Sequence, residues 1–236
     1  MSPPPAPAPL TSEQLHALRR LDACLLANAI ETFNLRLRNE GFADHTVRSL
    51  FPELAPMVGY AATVRIRGSA PPTAGTRFAD RSDWWDYIER LPAPRVVVVQ
   101  DVSSRRGLCS LVGEVHMHVL RRLHCVGVVT NGSVRDIPAA RSAGFHYFAG
   151  SIAVSHGYVH IVDFGQPLEI GGLKVASGEL LHGDLHGVQS VPLSIAPQLP
   201  AAATAIREHE QALIALCRSP DFTLEKLRQL LTSLPP

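Results

Sequence analysis

The chain has 236 residues, 46% of them hydrophobic and 18% charged, with 22 basic against 21 acidic side chains, which fits one globular domain with small appendages. A formal charge of +1 without any long Lys/Arg run leaves no electrostatic footprint for nucleic acid or an anionic membrane. No stretch approaches the roughly 18 consecutive apolar residues of a membrane span, and the first residues, MSPPPAPAPL, lack the basic flank and apolar core of a secretory signal, so the expected location is cytoplasmic.

Five of the first nine residues are proline, so residues 1–10 read as an extended tail outside the fold. From Thr11, T-S-E-Q opens a run in which Leu15, Leu18, Leu21, Leu25, Leu26, Ile30 and Phe33 recur at helical spacing, giving one or two helices to about Arg38, ended near Gly41. Gly59 to Arg67 alternates as a strand, and Ser82 to Leu91 reads as a short helix carrying Trp84 and Trp85. RVVVVQDV is a continuous β-branched run of the kind buried on both faces of a sheet. Val112 to Leu123 is helical with Glu114 in its first turn, and VGVVTNG is a second buried strand ending in a glycine turn, which completes a βαβ unit with parallel strands. VRDIPAARSAG predicts a short helix closed by Gly144, and HYFAG another short strand. His156 to Pro192, punctuated by G-Q-P, G-G, S-G and H-G, predicts a β-rich layer of four to six strands. Pro197 to Leu234 is helical with a break at RSPDF and a fresh N-cap at Thr223. The fold class is therefore α/β: a layered α/β/β domain over residues 11–196, with a central parallel βαβ portion and a second β-rich layer, flanked by terminal helices, of which 197–236 form an extension. Cysteines 24, 109, 125 and 217 form no C-x-x-C pair and read as small buried hydrophobes.

The chemistry concentrates at the ends of the two buried strands, where open parallel sheets bind their ligands. T-N-G-S-V-R-D, residues 130–136, is read as the turn after the second strand. Arg135 offers a planar fork that matches a carboxylate, and Asp136 a hard oxygen for Mg²⁺ or Mn²⁺. Glu114, separated from Arg135 by twenty residues, starts the helix after the first strand, and the amides of Val115 and His116 there favour an anion. The plain alternatives are a solvated ion pair at 135–136 and a glutamate that complements the helix dipole. Eight of the eleven histidines lie between His116 and His186, but His116 and His118 diverge by roughly 200° on a helix and make no i, i+4 zinc pair. His156, His160, His182 and His186 fall in the β-rich region, where each is either site lining or a packed or surface residue. No G-x-S-x-G, P-loop or G-x-G-x-x-G is present.

The string G-E, twenty residues, R-D, with G-V-V-T-N-G-S-V-R-D and the downstream G-G-L-K-V-A-S-G-E-L-L-H-G-D-L-H-G-V-Q-S-V-P, resembles the RraA-like proteins from about Asn28 to Pro192. That family includes 4-hydroxy-4-methyl-2-oxoglutarate aldolases and regulators of ribonuclease E activity. The resemblance implies a class II, metal-dependent retro-aldol and 2-oxo acid decarboxylase site at a subunit interface of a trimeric ring or a hexamer of two rings. By position, Asp136 binds Mg²⁺ or Mn²⁺ largely through waters, Glu114 holds a metal-bound water, and Arg135 clamps the carboxylate and 2-oxo oxygen of the substrate. Gly113, Val115, His116, Asn131 and Gly132 complete the implied substrate site. The chain departs from many aldolase members in carrying Glu114 and Asn131 where they have Asp. The expected partners are a small 2-oxo acid and further copies of the chain, with no membrane and no direct nucleic acid. The alternative is a non-catalytic, protein-binding regulator of a ribonuclease, which keeps the fold without turnover.

Overall fold

The computed structural model describes residues 8–73, 75 and 78–233; most of the proline-rich tail lies outside the described residues. Thr11 caps the first helix, α1 (Ser12–Arg19), in a reciprocal capping box with Gln14. Asp22 then caps α2 (Ala23–Glu31), accepting from the Leu25 amide at 2.8 Å, so the first helical run is divided in two.

The framework is β1 (Arg48–Ser49), β2 (Met57–Arg67), α3 (Arg81–Glu89), β3 (Arg95–Asp101), α4 (Glu114–Arg122), β4 (Cys125–Val134), α5 (Ile137–Ser142) and β5 (His146–Ile152). The β-rich segment supplies β6 (His160–Phe164), β7 (Leu168–Ile170), β8 (Leu173–Val175), β9 (Leu180–Asp184) and β10 (Gly187–Val191), and the chain closes with α6 (Leu199–Arg218) and α7 (Leu224–Ser233). Strands β2, β3, β4 and β5 run parallel, as the βαβ pattern requires. They form the middle of a sheet ordered β1-β5-β4-β3-β2-β9-β10, with β6 also paired to β2. The β-rich segment thus adds antiparallel strands to the same sheet and folds its β7–β8 hairpin over one face.

Burial on both faces explains the VVVV run. Val97 and Val99 join the cluster beneath α3, α4 and α5, with Trp84, Met117, Leu120 and Tyr147. Val96 and Val98 face the β7–β8 hairpin through Leu168, Ile170, Leu173 and Val175. A third cluster packs α1, α2 and α6 against Tyr60, Leu180 and Val191.

Arg95 opens β3 inside this core and has no carboxylate partner among the described residues. Its guanidinium donates to Glu89 O, Leu91 O and Leu123 O at 2.6 to 2.8 Å, satisfying the carbonyl ends of α3 and α4 at once. Arg95→Met removes the donors from three helix-end carbonyls and leaves their side of the core without the guanidinium, and chemical denaturation should show a stability loss of about 3 kcal/mol. A loss under ~1 kcal/mol would mean that water replaces the guanidinium.

Two expectations need correction. Cys109 and Cys125 are buried, but Cys24 and Cys217 are exposed on α2 and α6, where the helical period turns them outward. Residues 131–134, read as turn, remain in β4, where Ser133 and Val134 resume pairing with β5 after a register shift that passes over Asn131 and Gly132. There the Thr130 hydroxyl accepts from the Gly132 amide at 2.9 Å, which holds the irregular strand without ending it.

Candidate active site

The parallel strands deliver their carboxyl ends to one rim. At the end of β3, the buried carboxylate of Asp101 accepts the amides of Ser103 (2.9 Å) and Gly107 (3.0 Å), folding the connection back toward α4. Ser110 Oγ donates to Val112 O at 2.9 Å, and Gly113 follows as the N-cap of α4.

Gly113 offers no capping side chain, and the cap comes from across the cleft. The Glu114 amide donates to Asp136 Oδ2 at 2.8 Å, and Arg135 Nε reaches the same oxygen at 3.3 Å. A Cβ built on Gly113 would lie 2.6 Å from that oxygen and 3.3 Å from Arg135 Nε, so only glycine permits the approach. Asp136 itself adopts a left-handed conformation, φ 56° and ψ 46°, at the start of α5, a region Asp and Asn tolerate better than most residues. That turn swings its carboxylate back to α4. The amides of Val115 and His116, in the first turn of α4, have no intrahelical partner by helix geometry and remain for an anion.

The resulting cleft, about 320 Å³, is lined by Gly113, Glu114, Val115, His116, Arg135 and Asp136. Arg81 from the start of α3, Ser110 and Val159 complete the wall, together with His156 from the loop before β6, for which site lining was one of the two expectations. Arg81 forms no ion pair among the described residues and adds a second cation. Neither Arg81 nor His156 has a local signature, because what places them is the packing of α3 and the return of the chain after β5.

His116 has a role different from that of a free ligand. Its Nδ1 meets Leu111 O at 2.9 Å and its Nε2 accepts from Trp85 Nε1 at 3.1 Å. A carbonyl only accepts and an indole N–H only donates, so the ring is the neutral Nδ1–H tautomer. Burial, with Arg81 nearby, holds its pKa below the usual histidine range. The side chain fixes α3 to the cleft floor and leaves the His116 amide as the group offered to a ligand.

Asn131 and Gly132 stand apart from this lining. Asn131 Oδ1 accepts the Asp101 amide at 2.7 Å and its Nδ2 donates to Asp101 O at 3.4 Å, which ties the ends of β3 and β4 together. Gly132 lies against Asp101, where a Cβ would come within 3.0 Å of the Asp101 Cβ. Of the other histidines, His182 is fully buried and His186 pairs with Asp184 at 3.1 Å. Glu210, on α6, accepts from Asn28 of α2 at 3.4 Å.

The donor set suits a small hard cation. Among the described residues no three His, Cys, Asp or Glu side chains gather as a metal cage, but magnesium typically takes one or two carboxylates and keeps its waters. Asp136 Oδ1 has no hydrogen-bond partner among the described residues, and the exposed Glu114 carboxylate lines the same cleft. Both are free to accept.

A family model described as RraA-like: Aldolase/RraA matches residues 23–189. Protein DlpA of Legionella pneumophila is 26% identical over 157 residues, covering 66% of this chain and 25% of that protein. A Halalkalibacterium halodurans protein named "Putative 4-hydroxy-4-methyl-2-oxoglutarate aldolase" is 28% identical over 103 residues, covering 42% of this chain and 48% of its own. The chain thus spans between a quarter and a half of the length of these curated relatives. The crystal structure of Streptomyces coelicolor RraAS2, described as an unusual member of the RNase ES inhibitor RraA protein family, matches with a TM-score of 0.67 at 19% identity. It covers 86% of this chain and 96% of that one, a likeness of fold.

Proposed function

Because the chain belongs to the RraA-like family, we propose that its cleft is a carbon–carbon lyase site for 2-oxo acids, divalent-metal-dependent and releasing pyruvate. The reactions are retro-aldol cleavage of 4-hydroxy-4-methyl-2-oxoglutarate-type substrates, decarboxylation of oxaloacetate, or both. The observation that carries this reading is the convergence of Glu114, Arg135 and Asp136 on one helix N-terminus, with Gly113 opening the space between them.

Arg135 uses Nε on Asp136, which leaves its terminal nitrogens to donate to the substrate carboxylate and 2-oxo oxygen. The amides of Val115 and His116 receive the remaining carboxylate oxygen. As the 4-hydroxyl proton passes to water and C4 leaves as the ketone carbonyl of a second 2-oxo acid, or as CO₂ when the substrate is oxaloacetate, the C3–C4 electron pair stays behind as a pyruvate enolate, and the negative charge gathers on the oxygen that Arg135 faces. Asp136, with Glu114 beside it, would hold Mg²⁺ or Mn²⁺, and the ion would supply Lewis-acid polarisation of the 2-oxo group. Protonation of the enolate at C3 completes pyruvate.

Val115 on the cleft wall is 81% exposed, and Ile152, Val154 and Tyr158, in the stretch of chain that carries the cleft residue His156, are exposed apolar side chains as well. Exposed apolar side chains of this kind support assembly into a trimer or hexamer with the cleft at the junction of two copies. No helix among the described residues is long and apolar enough to cross a membrane.

Oxalate is a planar analogue of the pyruvate enolate and tests the reading through binding alone. Titration calorimetry should show oxalate binding with Mg²⁺ present and at least a tenfold loss of affinity in Arg135→Ala. Absence of binding with metal present would favour the protein-binding regulator that the Streptomyces relative's description names.

A further inference from the structure

A second cleft of about 390 Å³ lies at the opposite end of the sheet, where β3, β4 and β5 begin. It is roofed by α1 and by the last turn of α4, and four basic side chains line it: His16, Arg19, Arg121 and His146. No carboxylate lines it, and neither arginine makes an ion pair among the described residues. In a chain of net charge +1, this is a local excess of two fixed positive charges.

Helix C-termini favour basic residues, which accounts for His16, Arg19 and Arg121 in the last turns of α1 and α4. It does not account for His146, which opens β5 on the cleft floor. That side chain is only 5% exposed and lies flat against Phe148, with ring centroids 6.1 Å apart and an interplanar angle of 13°. No hydrogen bond holds its ring nitrogens among the described residues, and the side chain lines the cleft, where they keep access to solvent. An acceptor bound in the cleft would take the ring N–H that water otherwise meets there, which makes the imidazole a donor on the cleft floor. Arg19 is held in place for such a ligand, since its Nε donates to Pro56 O at 3.0 Å and its terminal nitrogens stay free. The rest of the wall is apolar, with Leu15, Met57 and Phe145 beside the basic groups.

We propose that this cleft binds a phosphate monoester with an apolar body, its dianionic head at Arg19, Arg121 and His146 and its body against Leu15, Met57 and Phe145. A phosphate monoester matches the charge of two guanidinium groups and presents three acceptor oxygens to the three donors. The inference is independent of the lyase reading, because the two clefts occupy opposite ends of the parallel strands.

Phenyl phosphate is the probe, titrated at constant ionic strength and followed by thermal unfolding and by the His146 ring signals in NMR. The expected result is a saturable rise in Tm with His146 signals that shift on the same isotherm. Arg121→Gln, which changes an exposed side chain and leaves the core intact, should weaken the apparent affinity at least tenfold, and Arg135→Ala in the other cleft should leave it unchanged. A response that does not saturate, that survives Arg121→Gln at full affinity, or that disappears in Arg135→Ala would overturn the assignment.

Discussion

Gly113→Ala should lower kcat/KM for 2-oxo acid cleavage on the order of 100-fold while the protein stays folded. The backbone at Gly113, φ −115° and ψ −171°, is extended and open to any residue, so alanine introduces no conformational strain of its own. What the methyl group meets is Asp136 Oδ2 at 2.6 Å, with Arg135 Nε and Cδ at 3.3 and 3.4 Å. The carboxylate must leave the Glu114 amide, and Arg135, which is tied to the same oxygen, moves with it. The two charged groups of the cleft are thus displaced by one methyl. Steady-state kinetics beside a thermal melt checks this: activity should collapse while Tm shifts by only a few degrees. Asp136→Asn is the companion variant, since asparagine tolerates the left-handed conformation and still caps α4 while removing the charge. If Gly113→Ala keeps wild-type activity, the Asp136–Glu114 contact has no part in turnover.

The second large effect is loss of stability in acid. Burial, with Arg19 nearby, lowers the pKa of His146 to about 4, and burial also lowers that of His182. His182 is fully enclosed, with Nε2 bonded to Leu21 O at 2.9 Å and Nδ1 without a partner. Above the unfolded value of about 6.5 both rings are neutral in either state, and stability is at its full value. As pH falls below 6.5 the unfolded chain takes up protons that the folded chain refuses, so unfolding becomes progressively easier down to the folded pKa. For His146 the interval from 6.5 to about 4 corresponds to about 3 kcal/mol, and His182 adds to it in the same direction. Urea denaturation at several pH values in dilute sodium chloride should show the unfolding free energy falling steadily from pH 6.5 to 4. His146→Phe should flatten that slope by up to about 1.4 kcal/mol per pH unit. A pH-independent free energy across this window would show that both rings protonate within the fold.

Residue patterns announced the elements whose burial is simple. The four valines of RVVVVQDV and the VGVV run are continuously apolar because helices cover one face of the sheet and the β7–β8 hairpin the other. Thr11 and Thr223 were legible as caps because the signal is local, and each hydroxyl does accept an amide of the following turn. Gly113, Glu114, Arg135 and Asp136 were legible through their spacing at the ends of neighbouring parallel strands. The role of Asn131 was not, since an amide beside a glycine resembles a turn, and only the pairing with Asp101 of a different strand keeps it in β4. Gly150 contributes to the same irregularity: a Cβ there would lie 2.9 Å from Asn131 O, so β5 approaches the bulge only as glycine. Arg81 and His156 come from segments far from the motif in the chain. His116 showed its amide but not its ring, whose partner Trp85 lies 31 residues earlier.

The central claim is that Arg135 and a divalent cation held at Asp136 together cleave 2-oxo acids. The most direct measurement is pyruvate release from 4-hydroxy-4-methyl-2-oxoglutarate and from oxaloacetate, with Mg²⁺, Mn²⁺ or a chelator, in wild type, Arg135→Ala and Arg135→Lys. The account predicts turnover that chelation abolishes, that Arg135→Ala reduces by at least 100-fold, and that lysine only partly restores because a point charge replaces a planar fork. Turnover that persists with chelator or without Arg135, or no pyruvate from either substrate under any metal, would contradict it.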